Sequence, residues 1–93
     1  MDWIDRPAEA TYDLHGQTVV EAVDNAERFL RVQGRVRGGR VVRLITGRGR
    51  GGGGAPVRTR VRTLLRTLKV RGAPVRDFVL EESEGSFLVL LAG

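Results

Sequence analysis

Two short motifs, each at the end of an apolar strand-like segment, constrain the fold of this chain most. The first is Tyr12-Asp13-Leu14-His15-Gly16 and the second is Leu44-Ile45-Thr46-Gly47-Arg48-Gly49, with a helix-patterned stretch between them. This order is typical of a βαβ unit, in which the strands run parallel and their carboxyl ends lie at the same edge of the sheet. Open α/β sheets bind their ligands at that edge. We therefore expect the only histidine and a glycine–arginine loop to share a site.

The stretch between the motifs carries the signals of a helix. Thr18-Val19-Val20-Glu21 fits a capping box. In this motif the Thr18 hydroxyl accepts a hydrogen bond from the Glu21 amide, and the Glu21 carboxylate accepts one from the Thr18 amide. Apolar residues then recur at helical spacing to about Gln33, and Gly34 suits the position just after a helix. The flanking strands are predicted at residues 10–15 and 41–46.

The second half of the chain predicts one more helix and two more strands. Pro56 suits the first turn of a helix, an apolar stripe continues to Leu68, and Gly72 and Pro74 end the element. Strands are predicted at residues 75–81 and 86–91, the latter so apolar that it should be central or covered on both faces. The order β-α-β-α-β-β predicts an α/β two-layer sandwich, a four-stranded mixed sheet with two helices. Residues 1–9 are predicted to form an arm, with Trp3 docked on the domain of residues 10–93.

Composition excludes several classes of protein. The chain has no cysteine, so disulfides and thiolate metal sites are excluded. No apolar run approaches the ~20 residues of a membrane span, and the acidic N-terminus lacks the basic region of a signal peptide. These features predict a cytoplasmic protein that does not associate with membranes.

Charge is strongly segregated along the chain. Thirteen of the sixteen basic residues lie between Gly34 and Arg76, and no Asp or Glu occurs from Arg28 to Arg76. A GC-rich genome could explain why arginine outnumbers lysine, but it does not explain why acids avoid this half. The segregation predicts a polyanionic partner, DNA or RNA.

Asp13 and His15 are the candidate catalytic pair. Residues two apart on a strand point the same way, roughly 6.5–7 Å apart. An aspartate can orient an imidazole, and a histidine so placed can act as general base or acid near neutral pH. The alternative is that Asp13 caps a turn and His15 is an ordinary surface residue.

The glycine-rich loop between the second strand and the second helix is the candidate phosphate site. Its amides and the helix N-terminus can bind phosphate, and Arg48 and Arg50 add positive charge. The alternative is a flexible connector. A dinucleotide-binding loop is excluded because the chain is short and no acid follows at ~20 residues; a Walker A loop is excluded because no Lys-Ser/Thr pair follows. On the following helix, Arg58 and Arg62 share one face.

A metal is not required by the sequence. One histidine and one nearby aspartate are too few for a zinc site. Mg²⁺ could bind Asp13 together with a substrate phosphate, although nothing in the sequence demands it. We therefore expect no obligatory cofactor.

The two motifs together resemble those of the Smr (small MutS-related) domain family. Tyr12-Asp13-Leu14-His15-Gly16 is similar to the family's L-D-x-H-G motif, and Thr46-Gly47-Arg48-Gly49 is similar to its T/H-G-x-G motif. The chain departs from the family in having Tyr12 in place of an aliphatic residue, extra glycines at 51–54, and only Ser83-Glu84-Gly85 where a glycine-rich turn is common. The resemblance implies a fold like the C-terminal domain of the third bacterial translation initiation factor. The site residues that it implies are Asp13, His15, Thr46, Gly47 and Gly49.

Members of that family include endonucleases that nick DNA and others that cut RNA. The resemblance therefore implies a phosphodiester hydrolase acting on DNA or structured RNA, with His15 as general base or acid and Asp13 orienting it. Thr46, Gly47 and Gly49 would hold the phosphate, and Arg48, Arg50, Arg58 and Arg62 would follow the nucleic-acid backbone. The alternative is a non-catalytic binding module that uses the same arginines.

Overall fold

The predicted order of elements is confirmed. The structure, a computed structural model, describes residues 2–47 and 54–92. The elements are a short 3₁₀ helix at Trp3–Asp5, β1 (Ala10–Asp13), α1 (Val19–Val36), β2 (Val41–Ile45), α2 (Gly54–Arg71), β3 (Val75–Leu80) and β4 (Ser86–Leu91). They form the predicted two-layer α/β sandwich.

The sheet has the strand order β1-β2-β4-β3. β1 and β2 pair in parallel, whereas β4 is antiparallel to both β2 and β3. β4 is therefore flanked on both sides, as its continuous apolar run predicts. Because Asp13 is paired with Ile45, the residues that follow β1 and β2 emerge at the same edge of the sheet. The prediction that His15 and Gly47 lie at one edge is confirmed.

The core lies between the two helices and the sheet. α1 contributes a narrow stripe of small residues and one leucine, and α2 contributes a wider aliphatic stripe. The strands contribute alternate residues, as expected when one face of a strand is buried. The fully or almost fully buried members of the core are Leu14, Ala22, Ala26, Leu30, Val42, Leu44, Val57, Val61, Leu65, Leu68, Val75, Phe87, Val89 and Leu91.

Four predicted boundaries are wrong, two of them by a single residue. β1 ends at Asp13 and not at His15, because the Asp13 carboxylate accepts the His15 backbone amide (2.8 Å) and turns the chain. α1 continues past Gly34 to Val36. Gly34 does not adopt the left-handed conformation that ends many helices, and a Cβ there would make only ordinary contacts with Ala92 and Pro74, so the helix continues through it. β2 and β3 each end one residue earlier than predicted.

The N-terminal arm is tied to the body at two points. The Trp3 side chain lies close to the Asp77 carboxylate on β3 and adds slightly to the lowering of its pKa. The Arg6 guanidinium donates to the Gly39 carbonyl (2.6 Å), just before β2. The arm is thus attached near the amino ends of β2 and β3, away from His15 and Gly47. None of the helices in the described parts of the chain has the length and apolarity that a bilayer span needs.

Leu30→Ala should lower the free energy of unfolding by about 2–5 kcal/mol, because it leaves a cavity beside a fully buried helix position. Urea denaturation at fixed pH measures the change. Val20→Ala on the same helix is the matched control, because the Val20 side chain is 71% exposed and its truncation should change stability by about 0.5 kcal/mol or less. Equal destabilisation of both variants would contradict the described packing.

Candidate nucleic-acid interface

His15 lies on the turn that follows β1 and is exposed to solvent. It is beyond the end of the strand, so the predicted alignment of Asp13 and His15 on one strand face is wrong. The contact between them runs from the His15 backbone amide to Asp13 Oδ1. Asp13 therefore shapes the turn that carries the histidine.

The backbone on both sides of His15 is anchored. Leu14 is fully buried, and its amide donates to the Ile45 carbonyl (2.7 Å) on β2. On the other side the predicted capping box is present, with Glu21 N 3.2 Å from Thr18 Oγ1 and Thr18 N 3.0 Å from Glu21 Oε1. The hydrogen bond from the Thr18 amide lowers the pKa of Glu21. The histidine is thus an exposed side chain on a backbone segment with two fixed ends.

Thr46 lies at the end of β2 and is almost fully buried, with 2% of its surface exposed. Its hydroxyl lies 3.4 Å from the Gly85 carbonyl oxygen and 3.3 Å from that of Gly47. The amides of Thr46 and Gly47 donate to the same Gly85 carbonyl, at 2.8 and 3.0 Å. Thr46 therefore holds the start of the loop in place.

Gly47 is the first residue of the candidate phosphate-binding loop. Its backbone is in the left-handed conformation, with φ at +85°. A side chain there would strain the backbone, so glycine is the residue that this turn favours. Arg48, Gly49 and Arg50 lie outside the described residues. The prediction that they bind phosphate stays a prediction.

The turn between β3 and β4 forms a further wall of this edge, at the place where the resemblance implies a glycine-rich turn and this chain has Ser83-Glu84-Gly85. Its Gly85 carbonyl binds the Thr46–Gly47 backbone, and its Glu84 carbonyl accepts a hydrogen bond from Arg58 Nη1 (3.1 Å). The signal for this contact was in the topology. Once β4 pairs with β2 so that Ser86 faces Ile45, the residue before Ser86 must meet the residue after Ile45.

A second cluster joins three strands just behind the turn. The Arg43 guanidinium donates to both oxygens of Glu81 (2.8 and 3.2 Å), and the Ser86 hydroxyl donates to Glu81 Oε1 (2.6 Å). The hydrogen bond from Arg43 is the main cause of the lowered pKa of Glu81, and the bond from Ser86 lowers it further. Arg43 is therefore part of the scaffold, although sequence alone counted it in the basic half.

Other basic residues of the acid-free segment are also paired in the folded chain. Lys69 binds Asp77 (2.9 Å), which lowers the pKa of that aspartate. Arg37 and Arg40 both bind Glu9. The fold thus brings acids from outside the segment to neutralise the part of it that lies away from His15.

The face of α2 beside the β3–β4 turn is basic. Arg58 and Arg62 are one helical turn apart and both are half-buried, and the bond from Arg58 to Glu84 places this face beside the turn. The first turn of α2 contains no acidic residue. Across residues 2–47 and 54–92, no three His, Asp or Glu side chains come together in a way that could hold a metal ion.

Glu81→Gln should cost about 1–2 kcal/mol of stability at neutral pH, since hydrogen bonds to charged groups contribute about 1.5–3 kcal/mol and partial exposure reduces this. The folded-state pKa of Glu81 is lowered from 4.5, so its contribution is present above that pH and disappears as the pH falls below it. Urea denaturation across pH should therefore show a shallower acid-side decline in the variant.

The control for this prediction is Glu27→Gln, which removes an exposed pair with Arg31 on α1. Such helix pairs contribute about 0.3–0.5 kcal/mol, so its curve should follow that of the wild type. If the Glu81→Gln curve ran parallel to the wild-type curve at all pH values, the Arg43–Glu81–Ser86 cluster would have no role in acid stability.

Comparison with known proteins agrees with this geometry. The family model for the Smr domain matches residues 12–92. Among solved structures, the chain is similar to the crystal structure of the Smr domain of Thermus thermophilus MutS2, with 27% sequence identity, a TM-score of 0.72, and coverage of 90% of this chain and 99% of that one. No curated protein matches the sequence significantly. The family is associated with nuclease and nucleic-acid-binding roles, and this chain belongs to the Smr domain family.

Proposed function

We propose that this domain binds the phosphate backbone of DNA or structured RNA and cleaves it as an endonuclease. The observation that carries the proposal is the meeting of the His15 turn and the Thr46–Gly47 backbone at the carboxyl edge of two parallel strands. His15, which could transfer a proton, and Gly47, the first residue of the glycine–arginine loop, therefore lie at the same edge of the sheet. The family's association with nucleic acids supports the same conclusion.

His15 is the proposed general base or acid. Its exposure allows the imidazole to reach a bound phosphodiester. As a base, the ring would take a proton from the attacking water as the water oxygen bonds to phosphorus, while the P–O bond to the leaving alkoxide breaks and solvent protonates that alkoxide. As an acid, the imidazolium would instead protonate the leaving alkoxide. Asp13 is the proposed positioning residue, because its carboxylate holds the backbone amide of His15 and so sets the turn.

The arginines are the proposed phosphate ligands. The amides of Thr46 and Gly47 already donate hydrogen bonds to the Gly85 carbonyl, so we assign these two residues to holding the loop. Arg48, the Gly49 amide and Arg50 would contact the scissile phosphate. Arg58 and Arg62 would contact neighbouring phosphates along α2. No step in this proposal needs a metal, and Mg²⁺ at Asp13 is tested by adding a chelator.

A non-catalytic binding module is the second candidate. The observation that favours it is that Asp13 is bonded to the backbone of His15, and no hydrogen bond to the imidazole is formed within the described ranges. A histidine without an orienting partner can still contact a phosphate. The two candidates share the arginines and differ only in what His15 does.

His15→Ala should lower cleavage of plasmid DNA or structured RNA by about 10²–10⁴-fold, because it removes the proton-transfer group. Binding to the same nucleic acid, measured by fluorescence anisotropy, should change by less than about threefold, since the imidazole supplies a single exposed interaction. Asp13→Asn should also slow cleavage, whereas Asp24→Asn, an exposed acid on α1, is the control and should not.

Undiminished cutting by the His15→Ala protein would assign the activity to another group or to a contaminant. If the wild type bound nucleic acid but cut neither substrate, the binding-module candidate would replace the endonuclease. Cleavage that persists in chelator would show that no metal is needed.

Replacing Arg48 and Arg50 together with alanine should weaken binding and flatten the salt dependence of the binding constant. The slope of log K against log salt changes by about one unit for each phosphate that the protein no longer neutralises. Arg71→Ala with Arg76→Ala is the matched control, because both arginines are exposed and belong to the opposite edge of the sheet. Equal flattening by the two double variants would mean that binding follows net charge and not this loop.

A further inference from the structure

The β3–β4 turn places acidic residues next to two segments of the acid-free half of the chain. Glu82 and Glu84 are both exposed on this turn, and they are remote in sequence from the loop after β2. The turn is held to that loop by the Gly85 carbonyl and to the start of α2 by the bond from Arg58 to the Glu84 carbonyl. The turn therefore contacts both the start of that loop and the first part of α2.

These carboxylates differ from the other acids that the fold brings to the basic half. Glu81 is committed to Arg43 and Ser86, Asp77 to Lys69, and Glu9 to two arginines. Neither Glu82 nor Glu84 forms an ion pair with any side chain in the ranges that the structure describes. Their charge is not neutralised by a partner there, so it acts on whatever binds next to the turn.

The backbone conformation of Glu84 is also unfavourable. Its φ of +60° lies in the left-handed region, and it is the one non-glycine residue with positive φ among those described. Non-glycine residues occupy this region at a cost, and such strain is concentrated at functional sites. The conformation lets the carbonyls of Glu84 and Gly85 face Arg58 and the Thr46–Gly47 backbone while the Glu84 side chain stays exposed.

We propose that Glu84, assisted by Glu82, is a specificity-determining residue that weakens the binding of nucleic acid at this edge of the sheet. This inference rests on the proposed function, because it needs a polyanion bound at the arginines. A phosphate on the Arg58 side of the turn would lie within about one Debye length of the Glu84 carboxylate, where repulsion is only partly screened. The turn thus limits how many phosphates the site can hold, and it favours a backbone that approaches along α2 over one that crosses the turn.

Glu84→Gln tests this inference, because glutamine keeps the size and the backbone strain of the side chain and removes only its charge. At low salt the variant should bind a short labelled DNA duplex or RNA hairpin roughly two- to fivefold more tightly than the wild type, and the gain should shrink as salt is raised. Glu82→Gln should give a smaller gain, and the double variant should give the largest. Equal thermal melting of the variants and the wild type confirms that the fold is unchanged.

Asp5→Asn is the matched control for net charge. Asp5 is an exposed acid on the arm, which is attached at the opposite edge of the sheet, so its neutralisation should alter binding by much less. If the wild type binds but Glu84→Gln gains no more affinity than Asp5→Asn, the inference is overturned and the proposed function stands. If neither the wild type nor the Glu84 variant binds either probe, the proposed function fails and the inference falls with it.

Discussion

The parallel pairing of β1 with β2 is the constraint on which the rest of the site depends. Parallel strands need a crossover, and α1 supplies it here, beginning at the capping box of Thr18 and Glu21 and ending at Val36. The pairing of Asp13 with Ile45 brings the residues after both strands to one edge. An antiparallel arrangement would have placed His15 and Gly47 at opposite edges, with no shared site.

The Gly85 carbonyl performs a second organising role at that edge. It accepts two backbone amides and lies near the Thr46 hydroxyl, so a single oxygen holds the start of the loop after β2. Behind it, Glu81 joins Arg43 and Ser86 across three strands. The site is therefore supported by the antiparallel half of the sheet, although its predicted residues come from the parallel half.

Electrostatics in this protein are decided by the fold as much as by composition. The acid-free half is basic along the sequence, but Arg43, Lys69, Arg37 and Arg40 are each paired with an acid from outside it. Among the described residues near the site, the α2 face contributes Arg62, and the β3–β4 turn contributes the exposed carboxylates of Glu82 and Glu84. A count of charges would overestimate the positive potential that a nucleic acid meets.

The sequence by itself determined the order of the elements, the capping box, the central place of β4 and the meeting of the two motifs. These follow from periodicity, local capping and the parallel βαβ rule, each of which acts over a few residues or through chain connectivity. Only the tertiary structure decided that β1 ends before His15, that Thr46 is buried as a support, that Arg43 is paired, and that Glu84 stands beside the loop. The end of β1 depends on a bond from a side chain to the backbone that competes with the strand, and the other three depend on residues far apart in sequence. Neither kind of contact leaves a periodic signal in the sequence.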